Sequence, residues 1–302
     1  MSSLKKYEIE PLVNEHCLIG ENPLWHTDER RIYWEDILNG WIFRFDPVSG
    51  RHEKVYDGAV VGGFTFQEDG KLLLFREHDI ALLNADGTTQ VLASDVAPTS
   101  GRFNDVMADP EGRVFAGTGA GEVKLSDGLY CVEKNGGTTQ LWKGTGCSNG
   151  MGFTPDLKQM YWTDSTARKI FIFDYDRATG SLENRREFYS APGNVEIPDG
   201  MAVDAEGCVW SAQWDGYVIH RLDPAGQLME SVRFPVAQVS SATFGGEHCD
   251  ELFVTTAGGS ARKGEPAGED TADGTLYRVH VGIKGKSEFR SRIQVSPAFG
   301  AN

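Results

Sequence analysis

The sequence predicts an all-β fold, a six-bladed β-propeller with four-stranded antiparallel blades around a central channel, residues 1–302 forming one domain. Three observations predict the propeller. Short β-rich triplets with a central aromatic residue or leucine recur 40 to 49 positions apart. Glycine makes up 36 of 302 residues, about 12% against roughly 7% in average proteins, so the chain turns often. No segment carries the 3.6-residue apolar period of a long amphipathic helix.

In chain order the triplets are Ile32-Tyr33-Trp34, Leu72-Leu73-Leu74, Val114-Phe115-Ala116, Met160-Tyr161-Trp162, Val209-Trp210-Ser211 and Leu252-Phe253-Val254. Most follow a turn of Asp, Glu, Gly and Lys or Arg, such as Glu68-Asp69-Gly70-Lys71 or Asp204-Ala205-Glu206-Gly207. Gly and Asp tolerate the positive φ of tight hairpins. Further strands follow each triplet, as in Trp41-Ile42-Phe43-Arg44-Phe45 and Ile170-Phe171-Ile172-Phe173. A β-sandwich or β-helix also uses short strands and glycine turns, but a sandwich has no reason to space an aromatic residue so evenly. Closing the ring requires a strand from one terminus to complete a blade begun at the other. The candidates are Tyr7-Glu8-Ile9-Glu10 and Glu288-Phe289-Arg290-Ser291-Arg292-Ile293.

The composition narrows the partners. The net charge of -15, from 29 basic and 44 acidic residues in dispersed order, argues against nucleic acid and against an anionic membrane surface. Five cysteines without a CxxC pair form neither a disulfide framework nor a structural zinc site and suit a reducing compartment. The first eight residues lack a signal peptide's apolar stretch, and no later run reaches membrane-span length, so a cytoplasmic protein is expected. Whether it is a monomer or a dimer is left open.

If each triplet is the second strand of its blade, the strand before it is innermost and lines the channel. Counting back 11 or 12 positions reaches Glu21, Asn104, Asn149 and Asp199 in blades 1, 3, 4 and 5, and the small residues Val61-Gly62 and Ser241-Ala242 in blades 2 and 6. Two carboxylates and two amides form a hard-oxygen set suited to Ca²⁺, Mg²⁺ or Mn²⁺, with zinc tolerated. Packed without a cation, Glu21 and Asp199 would repel each other. Taken one at a time, Ser148-Asn149-Gly150 and Pro198-Asp199-Gly200 are ordinary turn signatures, and Glu21-Asn22-Pro23 could be a surface loop.

The segments Gly20-Glu21-Asn22-Pro23-Leu24-Trp25, Arg102-Phe103-Asn104-Asp105, Asp109-Pro110-Glu111-Gly112-Arg113, Ser148-Asn149-Gly150 and Ile197-Pro198-Asp199-Gly200-Met201 resemble the SMP-30/gluconolactonase/luciferin-regenerating-enzyme family, also called the regucalcin family. The resemblance runs over nearly the whole chain. It implies a six-bladed propeller with one divalent cation in its channel, calcium first, with zinc, magnesium or manganese as alternatives, and hydrolysis of sugar lactones. By motif it implies Glu21, Asn149 and Asp199 as metal ligands, Asn104 as a further ligand or substrate contact, Arg102 as a substrate contact, and Glu122 as another.

A lactone is a cyclic ester, so its hydrolysis needs a polarised carbonyl, an activated water and stabilisation of the developing oxyanion. Asp199 is the candidate general base. Coordination lowers a carboxylate's basicity, so a hydroxide at the metal or another group stays open as the effective base. Two other readings keep the propeller. One changes the substrate to an organophosphate or a non-sugar lactone, and the other makes the protein a noncatalytic calcium-binding or scaffolding propeller. No HxxxH pair occurs among the seven histidines, which disfavours His-ligated zinc, although His78 could line a loop near the channel. Cys147 lacks a partnered histidine for nucleophilic chemistry. The Gly- and acid-rich segment from Gly258 to Gly274 interrupts blade 6 and is either a lid over the channel or a surface excursion.

Overall fold

A computed structural model describes residues 7–77, 79–94, 96, 102–119, 123–258 and 272–294. Among them there is no helix. Twenty-four strands, β1 to β24 in chain order, form six antiparallel four-stranded sheets. The innermost strands are β2 (Gly20–His26), β6 (Val61–Phe66), β10 (Phe103–Ala108), β14 (Ser148–Phe153), β18 (Ile197–Val203) and β22 (Val239–Gly245). Each contacts the next and β22 contacts β2, so the six blades close into a ring.

Closure follows one of the two expected routes. The strand β1 (Ile9–Asn14) pairs with β24 (Thr275–His280) as the outer strand of blade 6, with Ile9 opposite Val279 and Val13 beside Leu276. The other candidate, residues 288–293, is not a blade strand. With β1 on the outer edge of blade 6, the later segment instead runs across the inner hairpin turns at the far end of the channel. There Ala205 N donates to Lys284 O at 2.8 Å, Lys286 Nζ to Phe153 O at 2.6 Å and Arg292 N to Gly112 O at 2.8 Å. A single parallel bridge, Gln67 with Ser291, is its only strand-like pairing among the described residues.

The triplets repeat because the second strand of each blade is buried on both faces. In β3 (Arg31–Asp36), Ile32 and Trp34 pack with Phe253 of blade 6, whereas Tyr33 between them packs with Phe64 and Phe66 of blade 2. Period-two alternation thus aims successive side chains at opposite neighbouring blades. Trp34, Trp162 and Trp210 are fully buried in these seams, as their repeat positions lead one to expect.

Every inner strand has an irregular register near its start: between Glu21 and Leu24, Val61 and Gly63, Phe103 and Val106, Asn149 and Met151, Pro198 and Met201, and Val239 and Ser241. A bulge re-aims the side chain at that point. At two of these places adjacent inner strands approach so closely that a side chain has no room. A Cβ on Gly62 would lie 1.8 Å from the Phe103 carbonyl oxygen, and one on Gly200 would lie 2.1 Å from Ser241 Oγ. The glycines beside Asn149 and Asp199 therefore belong to strands, and the turn reading of those two motifs is corrected.

Candidate functional site

The bulged starts of the inner strands surround a cavity of about 430 Å³. Glu21, Arg102, Asn104, Asn149 and Asp199 all line it, so the structure brings together five of the six residues singled out from the sequence. Glu21, Asn104, Asn149 and Asp199 are buried. Glu122, the sixth, lies outside the described residues, as do His78 and residues 259–271 of the segment interrupting blade 6.

Hydrogen bonds join the site across three blades. Arg102 Nη1 donates to Phe103 O at 3.0 Å and to Asn104 Oδ1 at 2.6 Å. Asn104 Nδ2 donates to Ser148 O at 2.8 Å and to Asn149 Oδ1 at 3.1 Å. Asn149 Nδ2 donates to Ser165 Oγ at 3.0 Å, and Ser165 Oγ donates to Pro198 O at 2.6 Å, next to Asp199. On the opposite side Glu21 Oε2 accepts from Asn22 N at 2.9 Å, and Asn22 Oδ1 accepts from Phe64 N. Asn22 thereby ties the bulge of blade 1 to blade 2, at a φ of 47°.

The carboxyl groups are held against their ordinary ionisation. Burial, then the neighbouring Asp105 charge, raises Glu21 to about 8. Burial, then Glu21, raises Asp199 as well. Burial raises Asp105, which follows Asn104 in the bulge of blade 3 at a φ of 56°, to about 7. Arg102 pulls Glu21 and Asp199 the other way, but less strongly than burial and the other carboxylates push.

Three residues of this neighbourhood escaped the sequence reading. Asp105 stood inside a quoted motif without a role, because strict alternation points it away from the channel and only the bulge makes it a neighbour of Glu21. Glu35 lies opposite Glu21 in the ladder, fully buried, with no hydrogen-bond partner for either carboxylate oxygen. Its signal was a charged residue directly after an aromatic triplet, where the other triplets continue with Phe, Gly, Thr, Ala or Thr. Ser165 comes from a hairpin tip and carries no local signature.

The donor chemistry fits a divalent cation. Glu21 and Asp199 supply carboxylate oxygens, Asn149 an amide oxygen, and Asn104 another once its Oδ1 turns from Arg102. A second acidic group, Asp204, Glu206 and Cys208, lies at the β18 hairpin turn. It is an ion-pair nucleus: Asp204 accepts from Cys208 N, Trp210 Nε1 and Arg221, and Arg221 also reaches Glu206 Oε2 at 2.6 Å. Cys147 lines the cavity, but burial pushes its thiol up to about 12, which leaves it protonated and poorly nucleophilic at neutral pH.

The molecule is thus a six-bladed propeller with an oxygen-rich site at one mouth of its channel. The pattern of the SMP-30/Gluconolactonase/LRE-like region matches residues 19–258, and the chain belongs to that family. It is 39% identical over 289 residues to pentonolactonase XacC of Haloferax volcanii, covering 94% of this chain and 98% of that one. It is 31% identical over 294 residues to regucalcin of Xenopus laevis, covering 94% and 97%. Among solved structures it resembles a regucalcin from Agrobacterium tumefaciens described as a calcium-binding protein, with a TM-score of 0.88, 24% identity, and coverage of 97% and 100%.

Proposed function

We propose that the protein is a metal-dependent hydrolase of sugar lactones, a single-domain propeller that holds one divalent cation, calcium first, through Glu21, Asn149 and Asp199, with Asn104 completing the set. The observation that carries this reading is the convergence of two buried carboxylates and two amides on one open cavity. The pentonolactonase relative supports the substrate class. When bound, the cation supplies Lewis acidity to the ester carbonyl and balances the two carboxylates.

This chain's residues then have separable tasks. Asp199 takes a proton from the attacking water as the new carbon–oxygen bond forms. As the ring carbon–oxygen bond breaks, the proton passes to the leaving ring oxygen, so one water is consumed and an open hydroxy acid results. Arg102, anchored by Phe103 O, presents its remaining N–H groups to the substrate. Asn104 positions Asn149 through its Nδ2, which donates to Asn149 Oδ1.

The test is an assay of the calcium-loaded protein against a panel of aldonolactones, at a pH low enough to suppress spontaneous opening. Glu21→Gln and Asp199→Asn are expected to lose calcium binding by calorimetry and at least a hundredfold in hydrolysis, with an unchanged far-UV spectrum. Full hydrolysis after thorough chelation would overturn the reading.

A further inference from the structure

Among the half-buried or buried arginines of the described residues, Arg168 alone has a guanidinium without a hydrogen bond, ion pair or ring contact to another described residue. One of its terminal nitrogens, Nη2, is buried with no acceptor. Arg168 lines the same cavity as Glu21, Asn149 and Asp199. A buried charged donor without an acceptor is costly, and such a group in a folded protein calls for an explanation. The other arginines of comparable burial have one: Arg113 pairs with Asp109, Arg221 with Asp204 and Arg76 with Asp79.

The backbone fixes where this group sits. Arg168 ends the hairpin turn that begins at Ser165, with Arg168 N donating to Ser165 O at 3.0 Å and Ala191 N donating to Arg168 O at 3.0 Å. The turn that supplies Ser165 to Asn149 therefore also carries the guanidinium, and both residues line the cavity. A ligand whose ester reaches Asn149 and Asp199 would place a distal substituent beside Arg168.

We propose that Arg168 is a specificity-determining residue that reads an anionic group on the substrate, so that the preferred lactone carries a carboxylate or a phosphate remote from its ester. A sugar hydroxyl would accept a hydrogen bond but leave the positive charge uncompensated, whereas an oxyanion accepts two parallel bonds from the guanidinium and neutralises it. A cavity of about 430 Å³ has room for such a sugar-acid lactone. The proposal rests on the lactonase reading for its substrate and on Arg168 alone for the anion.

The experiment compares kcat/KM of the calcium-loaded protein for a neutral aldonolactone, a lactone of a sugar diacid and a phosphorylated aldonolactone, in the wild type, Arg168→Gln and Arg168→Lys. One of the two acidic lactones is expected to exceed the neutral one at least tenfold, and which one identifies the anion. Arg168→Gln should lower that rate constant ten- to a hundredfold more than it lowers the neutral one, with Arg168→Lys between. Equal wild-type rates on all three, or equal losses in Arg168→Gln, would overturn the proposal. A parallel titration with the open-chain diacid, the phosphorylated acid and the monoacid separates the two readings. Preference for the diacid or the phosphorylated acid that disappears in Arg168→Gln supports the anion site even without turnover, whereas absent turnover of every lactone sinks the hydrolase reading alone. Equal affinity for all three acids in wild type and variant counts against Arg168.

Discussion

Asn149 can turn either its oxygen or its nitrogen toward the channel, and only the oxygen can hold a cation. Ser165 decides between them. Its hydroxyl proton is committed to Pro198 O at 2.6 Å, so toward Asn149 it can only accept, and it takes Nδ2–H at 3.0 Å. The amide oxygen is left facing Asn104 and the site. Ser165→Ala is expected to weaken calcium binding about tenfold by titration calorimetry, as loss of a group orienting a ligand does elsewhere, and Ser165→Thr to restore most of it. Unchanged affinity in Ser165→Ala would show that packing alone orients the amide. The convergence of Glu21, Asn104, Asn149 and Asp199 on one cavity was legible because they are equivalent members of a repeat, each 11 or 12 positions before the centre of its triplet. Ser165, Asp105 and Glu35 were not, since their relation to the site runs through a bulge or a neighbouring hairpin, and no spacing in the chain records either.

At the scale of strands and turns, the repeat was read well because the forces behind it are local. A second strand buried on both faces must be apolar and aromatic, and a tight turn before it must contain Gly or Asp. What the turn acids do was hidden. Asp109 accepts from Glu111 N, Arg113 N, Arg113 Nη1 and Tyr175 OH at 2.7 to 2.8 Å. Asp204 in blade 5 repeats the design with Glu206 N, Cys208 N, Trp210 Nε1 and Arg221. The carboxylate thus closes its own turn and also anchors side chains from later strands, which composition alone cannot reveal. Asp204→Ala would leave the buried Arg221 with only its more exposed partners, Glu206 and Glu230. The expected loss is about 3 kcal/mol in urea unfolding, typical of a buried ion pair broken on one side. A loss below about 1 kcal/mol would mean that Glu206 and Glu230 suffice.

Across the whole molecule, the proposed cation would join blades 1, 3, 4 and 5, which the backbone connects only through the ring. The carboxylates that would hold it are a liability without it. Glu21 rises from an ordinary 4.5 to about 8 in the folded chain, through burial and then the Asp105 charge, and Asp199 rises with it. Between those pH values the folded chain retains protons that the unfolded chain has released, so stability falls as pH increases through the window. The Glu21 share of the loss begins above about 4.5 and is complete once Glu21 has ionised above about 8. A cation competes with those protons, so its affinity grows across the same range. The metal-free protein is therefore expected to melt at a lower temperature at pH 8 than at pH 5, and calcium at 100 times its dissociation constant should restore about 2.7 kcal/mol at pH 8. The same metal-to-site ratio is harder to reach at pH 5, where chelation should shift the melt little. A net charge of -15 also loosens the fold as pH rises, but that repulsion persists in Glu21→Gln, whereas the Glu21 share of the slope does not. Melting curves of both proteins at the two pH values, with calcium and with a chelator, separate these causes. Superimposable wild-type curves with and without calcium at pH 8 would remove the cation from the account of how this ring is held together.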